Sequence, residues 1–142
     1  MWSTTVEVLL VVSLLVLALG VTYGPLSAAL GHARTACAVA DLDDDLLLVR
    51  TVAALAGTQG RVILPGSDHE RTYRLEFAGT DGSLRTAEGE LPPGVGVRGG
   101  GTVAFGQTGR LRPPSHTFTL VERGGRERPY GISAQTGRLY EK

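Results

Sequence analysis

From Val6 to Tyr23 the chain reads VEVLLVVSLLVLALGVTY, an almost wholly apolar run interrupted by Glu7 and Ser13. With its flanks the run is long enough, as a helix, to cross about 30 Å of hydrocarbon. It predicts a membrane segment and confines the rest of the chain to a small body outside the hydrocarbon. A cleaved secretory signal would open with basic residues and close on a small-residue cleavage site, whereas no Lys or Arg occurs before Arg34. Glu7 is the informative position, because an ionisable group in an apolar span is costly unless something neutralises it. It is therefore either a functional acid with a partner outside its own helix or the polar edge of a signal anchor at the headgroup level.

The chain has 142 residues, so roughly 90 follow the helix, enough for one small core and too few for a large enzyme. Apolar residues continue beyond the membrane run at spacings of three and four: Leu26, Leu30, Ala33, Cys37 and Ala40, then Leu42, Leu46, Val49 and Ala53. One long helix is expected to run to about Ala56, kinked or loosened near Gly24 and Pro25, where proline removes a backbone donor. The acidic cluster Asp41, Asp43, Asp44 and Asp45 lacks the turn glycine and distal glutamate of a calcium loop, so it is expected to form a solvated helix face.

Past Gly57 the period changes from 3.6 to 2 and turn residues multiply, which predicts antiparallel sheet. Expected strands are Arg61 to Leu64, Thr72 to Ala78, Ser83 to Glu88, Val95 to Val97, Thr102 to Phe105, Thr117 to Glu122, Tyr130 to Ser133 and a closing Arg138 to Tyr140. Thr80-Asp81-Gly82-Ser83 and Arg123-Gly124-Gly125-Arg126 are the expected hairpin turns, and Pro92-Pro93-Gly94 and Pro113-Pro114 are breaks between strands. The fold class is thus α+β, a long N-terminal helix packed on a small antiparallel β-sheet domain. Its boundaries are 1–25 for the membrane helix, 26–56 for its amphipathic continuation and 57–142 for the globular β domain.

The order Ser3, Thr4, Thr5, Val6, Glu7, Val8, Leu9 resembles the N-terminus of type IV prepilins, where a short polar opening, a Thr and a Glu precede a long apolar helix. The globular half is similar to one branch of that family, the minor pseudopilin H of type II secretion and the FimT-like minor pilins. The resemblance is carried by Val62-Ile63-Leu64, Tyr73 to Phe77, Leu91-Pro92-Pro93-Gly94-Val95, Val103-Ala104-Phe105 through Gly109, Tyr130 to Ser133 and Gly137-Arg138-Leu139. It implies a pilin-like fold and a structural subunit, not an enzyme, in a type IV pilus, type II secretion or competence filament. It implies that Ser3 is the first mature residue, with a methylated amine lying near Glu7 of a neighbouring subunit. Ser3 stands where the family has a large apolar residue, and only Met1 and Trp2 precede it in place of a basic leader. The implied partners are other pilin or pseudopilin subunits, the inner membrane, a prepilin peptidase, and DNA or a secreted substrate. The implied location is the bacterial cytoplasmic membrane, crossed once, with the globular domain on the periplasmic side.

Other chemistry finds little support in the sequence. Gly94-Val95-Gly96-Val97-Arg98-Gly99 matches a phosphate-cradling pattern, but a strand and not a helix is expected after it. Ser67, Asp68 and His69 are adjacent residues of a polar turn, and a catalytic triad needs its members on separate elements. A single cysteine, Cys37, excludes an intrachain disulfide and reads as a small core or interface residue. His32, His69 and His116 show no ligand spacing, so neither metal nor cofactor is expected. Charge is uneven: from Arg98 onward there are 8 basic and 3 acidic residues. Arg110, Arg112, Arg126, Arg128 and Arg138 are therefore candidate nucleic-acid contacts. Some FimT-like pilins bind DNA through a terminal Gly-Arg-x-Arg, and the nearest matches here are Gly109-Arg110-Leu111-Arg112 and Gly137-Arg138-Leu139-Tyr140. The alternatives to a filament subunit are a DNA-binding minor pilin and a plain single-pass membrane protein.

Overall fold

A computed structural model describes residues 2–79, 81–112 and 116–142, with side chains from Thr4 onward. Among these residues one helix, α1 (Trp2–Ala56), precedes the strands β1 (Gly60–Leu64), β2 (Thr72–Ala78), β3 (Leu84–Glu90), β4 (Val95–Arg98), β5 (Gly101–Phe105), β6 (Leu111–Arg112), β7 (His116–Glu122), β8 (Glu127–Ile132) and β9 (Leu139–Glu141). The chain divides into two compact units, residues 1–33 and 34–142. Thr80, in one expected turn, and the Pro113-Pro114 break lie outside the described residues.

The first unit is helix alone, and its side chains from Thr4 to Leu30 are exposed. Mean hydropathy reaches 2.4 over 18 residues, long and apolar enough to cross a membrane. Its hydroxyls are turned onto their own backbone: Ser13 Oγ donates to Leu10 O at 2.9 Å and Thr22 Oγ1 to Ala18 O at 2.8 Å. Such bonding is what lets hydroxyl groups sit among apolar neighbours. The helix continues unbroken through Pro25, where a loosening was expected.

In the second unit α1 buries Thr35, Ala38, Leu42, Leu46, Val49 and Ala53, a stripe at spacings of three and four. The expected stripe through Ala33, Cys37 and Ala40 is exposed instead. Cys37 is five residues from Leu42, about 140° around the helix at 3.6 residues per turn, so the two cannot share a face. The helix closes on Gly57, whose φ of 62° allows the left-handed turn, and Thr58 N–H donates to Ala53 O at 3.0 Å. That bond satisfies a carbonyl the helix leaves free and aims the chain into β1.

The strands form two sheets, a five-stranded sheet ordered β3-β2-β1-β5-β6 and a four-stranded sheet ordered β4-β7-β8-β9. All pairs are antiparallel, with Val62 opposite Leu75 on one side and Val103 on the other. The two-residue β6 was not anticipated; it pairs Leu111 with Phe105 and Arg112 with Ala104. The turn 123–126 closes β7 onto β8 as expected, Glu122 N–H donating to Arg126 O at 2.8 Å. Leu42, Leu46 and Val49 of the helix join Val62, Val103 and Phe105 of one sheet and Val97, Leu120 and Ile132 of the other in one continuous buried cluster.

Candidate functional site

Glu7 stands in the exposed apolar helix between Val6 and Val8, which are 56 % and 62 % exposed. Among the described residues nothing pairs with it. Ser3 belongs to the same helix, and its side chain lies outside the described residues.

The exposed apolar surface does not end with the first unit. On the side of α1 opposite its buried stripe, Ala36, Cys37, Ala40, Leu47, Leu48, Ala54 and Leu55 are all exposed. Leu47 is 43 % exposed, Leu48 49 % and Leu55 83 %. A contiguous exposed apolar surface of this kind marks an interaction face. Here the inner side is covered by the two sheets, and the outer side carries Asp41, Asp44 and Thr51 among its apolar residues. Thr51 turns its hydroxyl onto Leu47 O at 2.7 Å, and the charges beside these apolar residues are Asp41 and Asp44, both exposed.

The acidic cluster is not simply a solvated face. Asp43 accepts the Leu139 N–H at 3.0 Å and pairs with Arg138 at 3.5 Å, and Asp45 accepts the Tyr73 hydroxyl. These two carboxylates fasten the helix to β9 and β2, while Asp41 and Asp44 remain exposed. Two further clamps hold the helix: Arg50 donates to Gly109 O at 3.0 Å and to Gln135 O and Thr136 O, and Thr35 Oγ1 donates to Glu122 at 2.9 Å. None of these roles was visible in the sequence, because each partner lies far along the chain.

Tyr73 shows how tightly one clamp is packed. Its ring lies over Gly89, where a Cβ would come within 2.2 Å of the ring carbon, so only glycine fits at that β3 position. Burial, with the neighbouring Asp45 and Asp41, raises the Tyr73 phenol above its ordinary value. A raised phenol favours the folded state below the unfolded value near 10, and that stability is lost as pH climbs beyond it. Titrating unfolding above about pH 10 is expected to give a steeper loss for the native chain than for Tyr73→Phe.

The basic residues do not converge. Arg138 is tied to Asp43, Arg128 pairs with Glu122 at 3.2 Å, and Arg98 pairs with Asp68 at 3.1 Å and with Glu127. Arg126 sits in the β7–β8 turn, and Arg110 and Arg112 flank Leu111 at the edge strand β6. The Gly109 loop is anchored to the helix at position 50 and the Glu122 end of β7 at position 35. Fifteen helical residues span about 22 Å, so Arg110 and Arg112 stand well apart from Arg126 and Arg128. Ser67, Asp68 and His69 lie in the β1–β2 loop; Asp68 is engaged by Arg98, and the His69 side chain is 93 % exposed. Gly94 to Gly99 encloses a strand, β4, as expected. No cluster of three or more potential metal ligands occurs among the described residues.

A long N-terminal helix packed on antiparallel sheets in this order is the pilin fold. Solved structures agree: the type IV minor pilin FimU of Pseudomonas aeruginosa superposes with a TM-score of 0.55 at 21% identity, covering 75% of this chain and 86% of that one. The minor pseudopilin EpsH from the type 2 secretion system of Vibrio cholerae superposes at 0.53 with 13% identity, covering 73% and 92%. No protein-family model matches the chain, and no curated protein matches it by sequence.

Proposed function

We propose that this chain is a minor pilin or pseudopilin, a non-catalytic subunit of a type IV pilus, type II secretion or competence filament. The observation that carries the reading is α1, exposed and apolar along its first unit and again along its outer face in the second. A membrane covers the first part before assembly, and the helices of neighbouring subunits cover both parts afterwards. The fold shared with FimU and EpsH supports the same role. Glu7 is the assembly residue, meeting the amine of an adjacent subunit so that neither charge is left alone in the apolar bundle. The sheets face outward, the domain lies on the extracytoplasmic side, and Ser3 marks the processed, methylated N-terminus left by a prepilin peptidase.

Sheared filaments and membranes, probed for the chain and followed by mass spectrometry of its N-terminus, test this. The expected result is recovery in the filament fraction with cleavage near Ser3 and one added methyl group. Recovery solely as an uncleaved single-pass membrane protein would overturn it.

A further inference from the structure

Two arginines outside the set above, Arg34 and Arg123, do come together. Gly94 has a φ of 83° and no side chain, and the point where a Cβ would stand lies 3.7 Å from Arg34 Nη1 and 3.6 Å from Arg123 Cδ. Gly94 O accepts the Arg123 N–H at 2.7 Å, which fixes the start of the β7–β8 turn against this spot. Neither arginine has an ion pair among the described residues. The carboxylates around them are engaged: Glu122 accepts from Thr35 and Arg128, Asp68 and Glu127 pair with Arg98, and Glu90 pairs with Arg71 at 3.2 Å. Those four carboxylates keep their charge, but against them stand Arg71, Arg98 and Arg128 together with Arg34, Arg123 and Arg126, a formal excess of two positive charges. Arg123 also lines a cavity of about 500 Å³ with Asp68, His69, Arg71 and Glu122, room for a small polar headgroup.

The position of Arg34 in the chain selects the anion that meets this pair. No Asp, Glu, Lys or Arg stands between Glu7 and Arg34, which are 27 positions apart, and that many helical residues rise about 40 Å. A bilayer with its headgroups is about 40–45 Å thick. By helical rise alone, a dispersed subunit with Glu7 at one headgroup level brings Arg34 to the other. We propose that Arg34 and Arg123 hold the phosphate of an anionic phospholipid whose headgroup sits over Gly94. The guanidinium fork matches phosphate oxygens, and cations beside a membrane span draw anionic lipid to them. The inference rests on the membrane-anchored part of the proposed function and adds to it a lipid contact that belongs to the subunit before assembly.

The test places the full chain in nanodiscs of equimolar phosphatidylcholine and phosphatidylglycerol and counts the lipids that stay bound by native mass spectrometry. The native chain is expected to retain phosphatidylglycerol in preference. Arg34→Gln combined with Arg123→Gln is expected to lower that preference about thirtyfold, whereas Arg34→Lys with Arg123→Lys keeps the charge and is expected to stay within about threefold of native. Arg85→Gln, which removes a cation near the Ala56 end of α1, is expected to leave the preference unchanged. Equal retention of the two lipids by the native chain, a glutamine double variant that retains phosphatidylglycerol as the native chain does, a lysine variant as poor as the glutamine one, or an equal loss with Arg85→Gln would each overturn the proposal. Excess inorganic phosphate separates the two sources of the group: bound lipid left in place supports the headgroup, and phosphate retained instead of lipid overturns it. If the arginine pair selects phosphatidylglycerol but the chain never enters a filament, the lipid contact stands and the filament reading fails. If the chain enters filaments and shows no lipid preference, the lipid contact fails and the filament reading stands.

Discussion

Glu7→Ala is expected to leave a folded chain in the membrane and to remove it from filaments. In the dispersed state Glu7 has no partner among the described residues, so its loss takes nothing from the fold and makes the helix a more ordinary membrane span. In the proposed filament the same change strands the amine of a neighbour inside an apolar bundle. Removing one member of a buried charge pair costs about 3–5 kcal/mol, a loss of roughly a hundredfold or more in association. Membrane fractionation against sheared-filament recovery separates the two effects, and normal incorporation of the variant would remove Glu7 from the mechanism. Glu7→Gln, similar in shape and uncharged, is expected to behave like the alanine variant, which assigns the effect to charge and not to packing.

Phe105→Ala is expected to act in the opposite way, on stability. Phe105 is 1 % exposed at the end of β5, between Gly60 of β1 and Leu111 of β6, with Gly137 approaching its ring. Emptying such a site costs about 3–5 kcal/mol through lost transfer energy and the cavity left behind. That is a large share of the 5–15 kcal/mol typical of a domain, and it corresponds to a fall of roughly 15 °C or more in Tm. Thermal unfolding followed by circular dichroism measures it, and a shift of only a degree or two would show that Phe105 does not anchor the core. Leu47→Ala is a useful contrast: Leu47 is half-exposed on the outer helix face, so its loss is expected to move stability by less than about 0.5 kcal/mol.

The amino-acid order by itself determined the helix, its end near Ala56, most strand positions and the prominence of Glu7. Those are local signals: an apolar run of membrane length, a switch of period from 3.6 to 2, and glycine and proline at the turns. Leu42, Leu46, Val49 and Ala53 were legible as the inner face for the same reason. The phase of the preceding turns was not, because Ala33, Cys37 and Ala40 are as apolar as Ala38, and periodicity cannot choose between two faces of a helix that is apolar all round. Only the tertiary structure decided that Thr35 and Ala38 face inward, that the strands split into two sheets, and that Asp43, Asp45 and Arg50 fasten the helix. It also decided that Arg128 and Arg138 are committed to carboxylates and that Arg128 stands apart from Arg110 and Arg112. The contacts of Asp43, Asp45 and Arg50 pair residues 28 or more positions apart, and such pairing follows from chain topology, which no local pattern encodes.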